Sequence, residues 1–351
     1  METEALSNRA SDDAIDESRS IQRETGLTFH VATRFLPERV RSPTYVLYAL
    51  FREADEIVDD PDPPAPEIRR DRLSTMRAAA LGERSPDSPV LNAFRDMSER
   101  YGFDERDIEA FFDAMERDIE PDEFEDYDAQ ETYLRGSAVA VGHMMCAVMD
   151  RDDPETLDHA RALAEAFQLT NFIRDVREDV VDFDRVYLPK SALAAEGLTP
   201  DDVRRLEDTP ALRAVIRSEL RRTEQRYRHG VDGIRDLPDD CQFAVLAAAV
   251  LYAEHHRLIR AQGCDMVGSR PTLSVPRRLW VVAKTALSWW RHGDPRTVFD
   301  RVSAVAPSDE DDPPQTLWIR LTGPPRRLSR AIARRFDHAM GRLGVVSSED
   351  R

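Results

Sequence analysis

Apolar residues recur at steps of three and four along most of the chain, a period that predicts helices and, taken over the whole length, an all-α fold. One such stripe runs through Ala160, Ala164, Phe167 and Asn171 and continues without a break into Asp175 and Asp179. An apolar helix face thus becomes a row of carboxylates, with Gln168 beside it. A second helix is predicted to open at Ser42-Pro43, an N-cap followed by Pro at the first helical position. It carries Tyr45, Tyr48, Arg52, Asp55 and Asp59 at steps of three and four, embedded among Leu47, Leu50, Phe51, Ala54, Ile57 and Val58. Its expected end is Asp60-Pro61-Asp62-Pro63-Pro64, where clustered prolines forbid continuation.

Further helices are expected at about 66–81, 87–101 and 104–118, rich in charge and read as structural shell. Asp118 to Asp128 reads as a solvated acidic loop. The next helix, Tyr133 to Met149, has little side-chain bulk: Gly136, Ser137, Ala138, Ala140, Val141 and Gly142 follow one another closely. Glycine costs a helix about 1 kcal/mol relative to alanine, so two of them imply that something approaches the backbone. That something is either a packed neighbouring helix or a bound chain, with Met144 and Met145 as candidate lining. Helices at about 199–207, 209–235, 239–262 and 276–291 complete the pattern. The last holds Trp280, Trp289 and Trp290 with flanking arginines, and fits either a membrane surface or packing on the domain.

Composition narrows the class. With 351 residues the chain can bury a large core, and acidic motifs spread from Tyr48 to Tyr187 argue for one domain. The expected organisation is a frayed segment 1–20, a catalytic domain 21–293 and a region 294–351, with an acidic linker from Ser308 to Pro314 and an arginine-rich helical tail from Trp318 to Leu343. A net charge of -18 speaks against a nucleic-acid partner. Lys190 and Lys284 are the only lysines, and so acidic a surface suits a salt-rich cytoplasm, where screening shortens like-charge repulsion. Cys146, Cys241 and Cys264 are far apart and read as buried, reduced thiols. The N-terminus has no apolar signal core, and no run approaches a membrane span. The expectation is a cytoplasmic protein, with peripheral contact on the inner face of the cell membrane as the further option.

Two carboxylates one helical turn apart make a hard-oxygen pincer suited to Mg²⁺, which prefers a few carboxylates plus water and phosphate oxygens. Here there are two such pairs, Asp55/Asp59 and Asp175/Asp179, and facing helices could hold metal-bound diphosphates between them. His30 reads as a wall or polar contact, and the adjacent His255 and His256 cannot share one helix face, so neither suggests a metal ligand.

Three motifs together resemble the squalene and phytoene synthase family. They are Asp55-Glu56-Ile57-Val58-Asp59, then Tyr133-Leu134-Arg135-Gly136-Ser137-Ala138-Val139-Ala140-Val141-Gly142 in a form typical of phytoene synthases, and Asn171-Phe172-Ile173-Arg174-Asp175-Val176-Arg177-Glu178-Asp179 followed by Arg185-Val186-Tyr187-Leu188-Pro189. The resemblance runs from about Thr28 to about Leu287. It implies a single-domain isoprenoid-synthase helical bundle with a central cavity. It also implies Mg²⁺-dependent (alternatively Mn²⁺-dependent) head-to-head joining of two geranylgeranyl diphosphates through prephytoene diphosphate to phytoene, with no NADPH. Asp55, Asp59, Asp175 and Asp179 would bind metal. Arg52 and Arg174 would clamp phosphate oxygens, with Gln168 and Asn171 beside the acids. Tyr48, Tyr133, Tyr187 and Tyr252 would give the carbocation aromatic faces. Thr28, Arg185, Arg270, Gly136, Val139 and Gly142 would contact substrate. Asp179 and Arg185 lie one residue further apart than the family pattern, so a bulge is expected between them. The alternatives are squalene or dehydrosqualene synthesis from farnesyl diphosphate and, from another class, a non-catalytic assembly relative. Oligomeric state stays open.

Overall fold

The computed structural model describes residues 31–60 and 62–305, and among these every regular element is helical. Thr28, His30, the segment 1–20 and the region 306–351 lie outside the described residues. Four helices come first: α1 (Glu38–Val58), α2 (Pro66–Ala80), α3 (Pro89–Tyr101) and α4 (Glu105–Arg117). Then α5 (Tyr127–Leu134) passes through a π-helical turn (Arg135–Val139) into α6 (Ala140–Val148). The helices α7 (Pro154–Arg174) and α8 (Val176–Phe183) precede two short ones, α9 (Lys190–Ala194) and α10 (Pro200–Arg204). Finally α11 (Pro210–Asp232) tightens into a 3-10 turn (Gly233–Asp236), followed by α12 (Asp239–Ala261), α13 (Val275–His292) and α14 (Pro295–Val302).

Helix starts follow from local chemistry. Ser88, Asp153, Thr209 and Asp294 each accept a hydrogen bond from a backbone N–H three residues on, and each precedes a Pro whose missing donor costs nothing at the first helical position. Ser42-Pro43 looks the same in sequence but starts nothing. The helix α1 already begins at Glu38, after Pro37, and runs through Pro43, while Ser42 Oγ donates to the Glu38 carboxylate at 3.0 Å.

The long helix α7 is the axis of the bundle, packing against α6, α11 and α12. Leu134, Met144, Leu169, Tyr227 and Leu251 are among the buried residues around it. A smaller apolar cluster, including Ile173, Val186, Leu188, Leu193, Val215 and Met266, fixes the segment that follows α8. The folded body extends beyond the boundary expected at residue 293: Val298 and Phe299 of α14 are fully buried, and Phe299 stacks on Tyr227 with ring centroids 6.0 Å apart.

Candidate active site

A cavity of about 610 Å³ runs through the bundle. Its lining follows α7 from Thr156 to Arg174, and at about 1.5 Å per residue that wall is roughly 27 Å long. Every wall has the same polarity. On α1, Asp55 and Asp59 lie at one end and Thr44 at the other; along the π turn and α6 the lining passes from Ser137 to Met149; on α12 it passes from Tyr252 to Ala244. Charge is gathered at one end and apolar surface at the other.

The charged end is built from three segments. Asp55 belongs to the last turn of α1, and Asp59 is its C-cap. The expected single row of Asp175 and Asp179 is broken, because α7 ends at Arg174 and Asp175 sits at the junction with α8 in a non-helical conformation. The pitch nevertheless carries through: Asp175 N–H donates to Asn171 O at 2.8 Å and Asp179 N–H to Asp175 O at 2.9 Å. The expected bulge appears at Asp184, which closes α8 in the left-handed region with φ 52. That turn carries Arg185 inward. Its guanidinium donates to Asp59 Oδ1 at 2.9 Å and to the carbonyl of Asp118 at 2.8 Å, so it ties the second acid motif to the first.

Crowded, buried carboxylates resist ionisation. Burial, then the neighbouring Asp59, pushes Asp55 up to about 7. Burial and Asp175 push Asp179 up to about 8, with Arg185 pulling the other way. Asp175 is held differently: Arg174 grips it with two hydrogen bonds of 2.6 Å, and Arg270 adds one of 2.8 Å while also pairing with Glu178.

Most expected site residues meet here. Tyr48, Tyr133, Gln168, Asn171, Arg174, Arg185, Tyr187, Tyr252 and Gly142 all line the cavity. Tyr187 stacks flat on Phe172, centroids 4.2 Å apart, and Tyr252 stacks on Phe167 at 4.6 Å. Asp175, Asp179 and Arg270 stand beside the charged end without being part of the lining; Arg52 is not part of it either, but its charge acts on Asp55 and its buried Nε donates no hydrogen bond. Gly136 and Val139 are not part of the lining either. A Cβ on Gly136 would stand 1.9 Å from Ala110 O, so this glycine serves close packing of the π turn on α4. Of the methionines, Met145 lines the cavity and Met144 is core. His255 and His256 are buried in a hydrogen-bonded network with Tyr252 O, Thr170 and Glu224, and burial holds His255 down at about 3.

One carboxylate of the lining was hidden by its context. Asp118, first residue of the run read as a solvated loop, is 7% exposed, lines the cavity and accepts a 2.6 Å hydrogen bond from the Tyr133 hydroxyl. Burial raises it to about 6. Phe124 of the same run is buried against Tyr133. The helices read as shell also reach the site, through Phe111 and Met115 of α4.

Among the described residues no three His, Cys, Asp or Glu side chains already stand as a metal cluster. The donor set still fits a hard divalent cation: the groups are carboxylates whose ionisation is opposed by one another, and the buried Asn171 Oδ1, one turn before Asp175, accepts no hydrogen bond. Arg185 Nε is buried without a hydrogen-bond partner, and Arg52 Nε makes only an ion pair of 3.4 Å with Glu56, so both fit anionic phosphate oxygens.

The profile of the squalene/phytoene synthase family matches residues 22–278. The phytoene synthase of Rhodobacter capsulatus is 31% identical over 279 residues, covering 77% of this chain and 80% of that protein. A 15-cis-phytoene synthase of a Paracoccus species is 32% identical over 275 residues, covering 74% of this chain and 89% of that protein. A crystal structure of a dehydrosqualene synthase shares the fold with a TM-score of 0.70 at 23% identity, over 79% of this chain and 96% of that one. A squalene synthase from Alicyclobacillus acidocaldarius gives 0.62 at 23% identity, over 73% and 96%. With a buried acidic site joined to a long apolar cavity, and with relatives at this level over most of its length, the chain belongs to the squalene/phytoene synthase family.

Proposed function

We propose that this prenyltransferase joins two geranylgeranyl diphosphates head to head, through prephytoene diphosphate, to give phytoene and two diphosphates. The observation that carries the reading is the polarity of one cavity: carboxylates and arginines confined to one end, and a wall of about 27 Å leading away from them. The phytoene synthases among its relatives support the longer substrate.

In this reading Asp55, Asp59, Asp175 and Asp179, with Asn171, hold Mg²⁺, or Mn²⁺ in its place. When bound, the cation offsets the charge that develops on departing diphosphate. Arg52, Arg174, Arg185 and Arg270 orient the phosphate oxygens. Tyr187, Tyr133 and Tyr252 present ring faces to the allylic and cyclopropylcarbinyl cations, and the buried aromatic wall keeps water from trapping them. The second half-reaction ends in loss of a proton, so no reductant enters. A non-catalytic role is disfavoured because both acid pairs are present.

The acidic surface supports work in a salt-rich cytoplasm, and the exposed face of α13 supports peripheral contact with the membrane. Purified protein in high KCl with Mg²⁺ and geranylgeranyl diphosphate, without NADPH, should yield phytoene. Asp175→Ala should abolish turnover and leave helical content intact. A hydrocarbon formed from farnesyl diphosphate alone would move the enzyme to the squalene branch, and full activity in dilute buffer would count against the salt-rich setting.

A further inference from the structure

We propose that His159 is the stop at the apolar end of the cavity and sets the length of prenyl chain admitted; this rests on reading the site as one for prenyl diphosphates. Opposite the carboxylates, beside Thr44, Met149 and Ala244, the lining includes Thr156 and His159 from the start of α7, Gly230 near the end of α11, Gly233 and Ile234 of the 3-10 turn, and Leu237. His159 is the one ring among them. It lies fifteen positions before Arg174 on the same helix, so about 22 Å of helix separates it from the charged end.

The ring is partly exposed and is held by three contacts. Its Nδ1 lies 2.8 Å from the carbonyl of His229, and a carbonyl only accepts, so Nδ1 carries the proton. The His229 ring packs against it with centroids 4.6 Å apart, and His229 is itself fixed by Nε2 at 2.6 Å from the Asp158 carboxylate. The main chain presses from behind. A Cβ on Gly233 would stand 2.2 Å from His159 Cβ, and one on Gly230 would stand 2.6 Å from Leu163 N, so two glycines let α11 and its 3-10 turn close directly onto α7. A flexible apolar side chain at this point would yield to a longer substrate. An imidazole clamped by a carbonyl, a second ring and a glycine-tight backbone does not.

Side-chain volume at position 159 therefore decides depth. His159→Ala lengthens the cavity, His159→Trp shortens it, and His159→Phe keeps the ring and discards the hydrogen bond. The experiment measures binding of unreactive thiolo analogues of farnesyl, geranylgeranyl and farnesylgeranyl diphosphate to the full chain, alongside turnover of the natural diphosphates. His159→Ala should shift the farnesylgeranyl-to-geranylgeranyl affinity ratio upward by about tenfold or more, the scale a few added apolar contacts give. His159→Trp should shift preference by a like factor toward farnesyl, and His159→Phe should resemble the wild type. A merely structural role would weaken all three ligands together and leave their ratios alone. Unchanged ratios in folded His159→Ala and His159→Trp would overturn the inference while leaving the function standing. Wild-type protein that binds none of the three analogues would overturn the prenyl reading and this inference with it.

Discussion

Asp55 and Asp179 show how one residue's environment becomes a measurable property. Their carboxyls sit near 7 and near 8 because burial and a neighbouring Asp both oppose charge. Cation binding requires the carboxylate form, so affinity for Mg²⁺ should rise with pH through that window, with protons released on binding. Calorimetry in two buffers of different ionisation enthalpy would detect them; affinity that stays flat from pH 6 to pH 9, roughly the range bracketing both values, would refute the assignment. Stability without cation has the opposite trend. The folded state holds these protons more tightly than the unfolded chain, whose Asp titrates near 4. These groups therefore stabilise the fold below about pH 4 and lose that contribution as pH rises toward 8. Asp179→Asn should flatten that decline. Asp118 teaches a related lesson: it stands in a run of acids that reads as solvated, and only the fold reveals that Tyr133 and Arg185 surround it.

At the scale of the element, the stretch from Tyr127 to Val148 uses its glycines in two different ways. Gly136 in the π turn presses on the backbone of α4, whereas a Cβ on Gly142 would meet Ala164 Cβ at 3.2 Å and the Ala160 carbonyl at 3.5 Å. Gly136→Ala should therefore destabilise the protein by about 1–3 kcal/mol, because overpacking against an immovable carbonyl outweighs the gain of about 1 kcal/mol in helix propensity. Gly142→Ala should lie near neutral in stability. Denaturant midpoints of the two variants check this, and equal losses would refute it. The junction at Asp175 is a second device: breaking the helical conformation while keeping the hydrogen-bond pitch frees the carboxylate for Arg174 and Arg270.

For the molecule as a whole, charge is unevenly spread. On a chain of net charge -18, α13 carries Arg277, Arg278, Lys284 and Arg291 and no acid. Its inner face buries Val281, Thr285 and Trp289, while Trp280 and Leu287 are about half exposed and Trp290 is also exposed. Arg277 and Lys284 both lie over the Trp280 ring, 4.2 Å and 4.5 Å from its centroid. The inner face is packed on the domain, and the peripheral membrane contact proposed above would fall to the exposed outer face. Trp280→Ser with Trp290→Ser should reduce co-sedimentation with anionic vesicles at unchanged turnover in detergent; unaltered sedimentation would remove α13 from that role. Among the described residues no helix is long and apolar enough to cross a membrane.

The sequence by itself determined the helical class, the two acid motifs and the aromatic partners, because period, proline breaks and carboxylate spacing are local properties of the chain. Cap-and-proline pairs such as Asp153-Pro154 mark true helix starts by the same local chemistry. Tertiary structure alone decided what depended on distant neighbours. Ser42-Pro43 failed as a start because Pro37 had already opened the helix. Gly136 turned out to serve α4 rather than a ligand, and Asp118 was drawn into the site by Tyr133, fifteen residues on, and by Arg185 from beyond α8. The end of the cavity could not be read from any one segment, since His159 is fixed by groups on α11 and its 3-10 turn about seventy positions away. Burial, and which groups oppose one another across a gap, are properties of the packed bundle rather than of any stretch within it.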